Sequence, residues 1–96
     1  MENKEPQKIE MKLDEKEGIG EYANLANVIH NPSEFVIDFA RLMPGLKFAK
    51  VVARIILSPM NIKALYLALE HNIKEYEKKF GEIKIGDPKE QKRIGF

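Results

Sequence analysis

This chain has no cysteine, so a disulfide framework, a thiolate metal site and a cysteine nucleophile are all excluded. It has no tryptophan. Neither charge sign dominates: 16 Lys and Arg stand against 15 Asp and Glu, a formal net of +1. No strong field therefore draws the chain toward nucleic acid or an anionic membrane. No apolar run approaches the roughly 20 residues of a membrane span. The opening "MENKEPQKIEMK" lacks the apolar stretch of a secretory signal. Together these absences point to a cytoplasmic protein. Glutamine is scarce while Glu and Lys abound, a balance that leans toward a heat-adapted source.

What is present suits one small α+β domain. At 96 residues, 44% of them apolar, the chain can build only a thin core. The domain is expected over residues 8–85, with a flexible arm at 1–7 and a flexible, basic tail at 86–96. "KIEMKLD" (8–14) alternates strictly, with Ile9, Met11 and Leu13 on one side and charges on the other, as a half-buried strand does. "EKEGIGE" (15–21) reads as a turn. "YANLANVIH" (22–30) has apolar residues on both sides and reads as a strand covered on both faces.

"NPSEFVIDFARLMPG" (31–45) has two readings. Asn31, Pro32 and Glu34 could open a helix; Phe, Val, Ile and Phe crowded into five positions favour a strand. Register decides for the strand. "LMPG" has the Pro-Gly order of a type II turn, and "AKVVARIIL" (49–57) follows. Setting Met43 opposite Ala49 sets Phe35 against Leu57, Ile37 against Ile55, and Phe39 against Ala53. On the other face Val36 meets Ile56, Ala40 meets Val52, and Asp38 meets Arg54. A one-residue slip would destroy all of this.

The last element is a long helix. Ser58 caps it and Pro59 fits its first position. Ile62, Leu65, Tyr66, Leu69, Ile73, Tyr76 and Phe80 form one apolar stripe, and Gly81 stops it. "EIKI" (82–85) is a short strand or a packed tail. The expected architecture is a four-stranded antiparallel sheet, mostly a meander, with this helix packed on its first face, the one carrying Phe35, Ile37, Phe39, Ile55 and Leu57.

One helix cannot cover both faces. The second face gathers Tyr22, Val28, Val36, Ala40, Leu42, Val52 and Ile56, broken by Asn24, Asp38, Lys50 and Arg54. Exposed, it would be a large apolar patch; a two-fold partner would cover it with the same surface. The expected partner is therefore a second copy, most simply in a dimer through this face. The candidate interface and binding residues are Tyr22, Asn24, Val36, Asp38, Ala40, Val52, Arg54 and Ile56.

The segments "GEYANLANVIHNPSEFVIDFARLMPG", "ARIILSP" and "YEKKFGEI" carry a resemblance across residues 8–83. The chain resembles a family of small uncharacterised bacterial and archaeal proteins, a domain of unknown function. The matching positions include Tyr22, Asn24, Pro32, Phe35, Asp38, Pro44, Arg54, Pro59, Tyr76, Phe80 and Gly81. That resemblance implies no particular activity. In architecture alone, the sheet-then-helix order is also similar to the subunits of SecB-type export chaperones, which are oligomers that hold unfolded chains.

Catalysis finds little support. His30 and His71 lack ligand-spaced partners, so no metal is expected. "GIGEYA" is no phosphate loop, and Ser58 has no nucleophile context. The expectation is a non-enzymatic, cofactor-free oligomeric module that binds protein or peptide, with a chaperone-like role. The alternative is a single-stranded nucleic-acid binder, using Lys89, Lys92 and Arg93 with Tyr22 to stack a base.

Overall fold

In a computed structural model, residues 9–86 are described. The order is α1 (Glu15–Ile19), β1 (Leu25–His30), β2 (Phe35–Arg41), β3 (Lys50–Leu57) and α2 (Pro59–Phe80). The three strands form one antiparallel sheet in the order β1-β2-β3. Residues 31–45 therefore hold a strand between two turns, not a helix.

Both turns follow from local chemistry. Asn31 Oδ1 accepts hydrogen bonds from the Ser33 and Glu34 amides at 2.8 and 3.0 Å. This side-chain-closed turn feeds β1 into β2 with His30 opposite Phe35. At the second turn the Leu46 amide donates to the Met43 carbonyl at 3.2 Å. Pro44 and Gly45 stand between them, and Gly45 takes φ 86°, as the third residue of a type II turn must. Gly45→Ala should cost about 1–2 kcal/mol, because an L side chain is strained in that region. Chemical denaturation would show it as a lower midpoint with an unchanged slope.

The β2–β3 register agrees with the pattern from Phe35↔Leu57 through Val36↔Ile56, Ile37↔Ile55 and Asp38↔Arg54 to Phe39↔Ala53. It then shifts. Ala40 pairs with Val51, not Val52, across a bulge. A bulge adds twist and re-aims the residues beside it. Here Arg41 follows, donating from Nε to the Tyr22 carbonyl at 3.0 Å and from Nη2 to Glu21 at 2.9 Å. That anchors the segment entering β1.

Three expectations need correction. "KIEMKLD" is no strand over the described residues: 9–14 lie outside every helix and strand, so the sheet has three strands. Alternation shows which side a strand would bury, but pairing needs an open neighbour. "EKEGIGE" is not a plain turn, because Glu15–Ile19 forms a helical turn. The Gly18 amide bonds the Asp14 carbonyl at 2.7 Å, and Glu15 and Glu17 favour its positive end. The long helix does not pack on the first face.

Helix α2 itself is well made. Ser58 Oγ accepts from the Asn61 amide at 3.2 Å, Pro59 opens it, and Gly81 ends it at φ 98°. Yet no residue of α2 is buried, and its main packing is against the neighbouring β3. The apolar residues buried among those described are Ile37 and Ala40. Residues 82–85 are neither helix nor strand. The expected arm at 1–7 and all of the expected tail except Gly86 lie outside the described residues. Among the described residues, no helix is long and apolar enough to cross a membrane.

Candidate functional site

Paired residues of an antiparallel sheet project to one side, so the register assigns each face. The first face carries three rows: His30–Phe35–Leu57, Val28–Ile37–Ile55 and Ala26–Phe39–Ala53. The second carries Ile29–Val36–Ile56, Asn27–Asp38–Arg54 and Leu25–Ala40–Val51. A polar row thus crosses the middle of an apolar sheet face.

At its centre, Arg54 holds Asp38 with two parallel bonds. Nε donates to Oδ1 at 2.6 Å and Nη2 donates to Oδ2 at 2.8 Å. Asp38 is only 8% exposed, while the Arg54 side chain is 60% exposed. The bidentate fork is the strong geometry for an arginine and a carboxylate. These hydrogen bonds hold the Asp38 carboxyl below its ordinary range; burial pushes the other way, and the Arg54 charge adds to the lowering. The same bonds raise Arg54.

A carboxyl lowered on folding stabilises the fold above its unfolded value, about 3.9. That contribution is lost as pH falls through the still lower folded value. Asp38→Asn should therefore flatten the dependence of the thermal midpoint on pH below about pH 4. A variant that kept the full wild-type acid slope would contradict this.

Of the expected interface residues, the structure brings together Val36, Asp38, Ala40, Arg54 and Ile56 on the second face. Val52 lies at the bulge and loses its place opposite Ala40 to Val51. Tyr22 and Asn24 lie outside β1, beyond the face. Asn24 instead extends the ladder: its Nδ2 donates to the Leu42 carbonyl at 3.0 Å, and its Oδ1 accepts from the Leu42 amide at 2.8 Å. Val28, expected on the second face, pairs with Ile37 on the first.

The sequence reading missed Leu25, Asn27 and Ile29 on the second face. Setting His30 opposite Phe35 across the four-residue turn, which reverses the parity, would have found them.

His30 stacks on Phe35, with ring centroids 5.1 Å apart. His71 is exposed on α2. Among the described residues, no group of three or more His, Asp or Glu could hold a metal ion. Tyr22 is exposed; Lys89, Lys92 and Arg93 lie outside the described residues.

A second apolar surface runs along α2. Leu65, Tyr66, Leu69, Ile73, Tyr76 and Phe80 are all exposed. Tyr66, Leu69, Glu70, Ile73, Lys74 and Glu77 line an open groove of about 410 Å³. Tyr76 and Phe80 tilt against each other at 4.9 Å.

Set against known proteins, residues 1–85 match a family model described as a protein of unknown function (DUF3467). No curated protein and no solved structure matches the chain.

Proposed function

The chain belongs to the DUF3467 family of unknown function, and from that premise we propose that it works as a homo-oligomeric, non-enzymatic module that binds other polypeptides. The second sheet face is the dimer contact, through Val36, Asp38, Ala40, Arg54 and Ile56. In the assembled form the alternating segment 9–14 becomes a fourth strand. The groove of α2 takes extended apolar segments of a client chain, a chaperone-like role.

The observation that carries this reading is the lack of a core. Ile37 and Ala40 are the apolar residues buried among those described, while both sheet faces and the helix stripe meet water. Scattered exposed apolar residues are ordinary, but continuous apolar surface marks interaction sites. Each large aliphatic side chain that a partner fully covers contributes roughly 1.5–3 kcal/mol.

Light scattering from an aggregating, chemically unfolded client tests the client role. The protein should slow aggregation in proportion to its concentration, with little dependence on salt. No slowing at a several-fold excess would count against it. A shift of labelled single-stranded nucleic acid that weakens steeply with salt would favour the basic-tail reading instead.

A further inference from the structure

Strand β3 is an edge. It holds eight residues, Lys50–Leu57, and among the described residues it pairs with β2 alone. Proteins usually protect such an edge with proline, inward charges or a covering element. "KVVARIIL" has no proline, and its one central charge, Arg54, already holds Asp38. Arg54 Nη1 has no bonding partner among the described residues. The other edge, β1, reads "LANVIH" and carries no Lys or Arg.

The chain also holds an alternating segment, 9–14, that joins no ladder among the described residues. Ile9, Met11 and Leu13 are 84%, 92% and 74% exposed, with Glu10 and Lys12 between them. A segment with a strand's pattern and no ladder fits an edge that lacks a neighbour. Charge chooses the edge: Glu10 finds a cation on β3 and none on β1. An antiparallel register that sets Glu10 opposite Arg54 also sets Ile9 opposite Ile55 and Met11 opposite Ala53. Both apolar pairs then extend the first face.

Resting on the dimer reading above, we propose that residues 9–14 of a second copy dock on the β3 edge, so that two copies exchange their fourth strands. In its own chain the segment stands off the sheet. Stacked sheets lie about 10 Å apart. Helix α1 spans about 7.5 Å and Gly20 adds up to about 3.5 Å before the chain reaches Glu21 and Tyr22, held by Arg41, so the connection matches the gap from one sheet to the other. Reciprocal exchange closes both β3 edges under one two-fold axis.

The absence of native cysteine makes the test clean. Met11→Cys and Ala53→Cys single variants are mixed under mild oxidation. Directly opposed residues come close enough to bridge. The mixture should form a covalent heterodimer at least roughly tenfold faster than Lys12→Cys mixed with Ala53→Cys, since Lys12 projects to the other face.

Rapid closure within one chain of the double variant would overturn the exchange in favour of the chain's own strand. A dimer that sediments normally yet cross-links no faster than the control would overturn the edge docking and leave the dimer reading standing. A monomer by sedimentation would remove both. Hydrogen exchange gives a second readout that needs no cysteine. In the full chain, Met11→Pro should expose the β3 amides that do not bond β2, with protection falling about tenfold; unchanged protection would overturn the docking.

Discussion

Ile56→Asp should dissociate the proposed dimer. In the single chain this residue is 56% exposed on an edge strand, and a change at such a site ordinarily moves stability by no more than about 0.5 kcal/mol. In the proposed dimer its row, Ile29–Val36–Ile56, packs against a second copy. The substitution then removes the burial of an isoleucine, roughly 1.5–3 kcal/mol. It also brings a carboxylate into an apolar contact with no cation assigned to it, which adds a cost of its own. The expected result is a dissociation constant at least about 100-fold higher, equivalent to about 2.7 kcal/mol. Ile83→Asp, at an exposed residue beyond the sheet, should leave the dimer unchanged. Sedimentation velocity on the two variants separates a contact from a merely exposed side chain. Equal behaviour of Ile56→Asp and wild type would argue against the second face as the contact.

Leu69→Asp should weaken client holding about tenfold and leave the proposed dimer intact. Leu69 stands in the middle of the α2 groove, between Tyr66 and Ile73. No residue of α2 is buried in the chain, so the helix has little internal packing to lose. Its own propensity changes by only a few tenths of a kcal/mol. An extended apolar segment seated in the groove would meet a charge at its centre. The protein needed to halve client aggregation should rise about tenfold, or about 1.4 kcal/mol. The sedimenting mass should not change. A variant that lost dimerisation instead would place the helix stripe in the subunit contact, not in client binding.

How much of the fold is legible in the sequence follows from where the forces are local. The β2–β3 register was legible because two alternating strands flank a turn of recognisable chemistry, and because Asp38 and Arg54 agree with it. The ends of α2 were legible because Ser58, Pro59 and Gly81 act through their own backbone neighbours. The bulge between Phe39 and Ala40 was not, since it depends on the twist of the sheet and on where Arg41 finds Glu21 and the Tyr22 carbonyl. Residues 15–19 read as a turn because two glycines outweighed the local bonds of the Gly18 and Gly20 amides and the end charges.

The candidate site was legible in its middle and not at its margin. Val36, Asp38, Ala40, Arg54 and Ile56 share a face because β2 and β3 keep register through that stretch. Tyr22 and Asn24 fell outside because β1 begins at Leu25, and Asn24 uses its side chain to mimic one more ladder step. Val28 fell on the wrong side because parity within a strand does not say which face it joins; the turn before the next strand does. The segment 9–14 and the stripe of α2 share one lesson. Both carry the pattern of a buried element, and a pattern names the surface to be covered without naming the cover.

The central claim is that this chain needs a second copy to acquire a core. Sedimentation equilibrium of the wild-type protein across the micromolar range, paired with thermal unfolding at each concentration, tests it most directly. The account predicts twice the 11.1 kDa chain mass and a melting temperature that climbs with concentration. A folded species of single-chain mass, melting cooperatively at one temperature whatever the concentration, would contradict it.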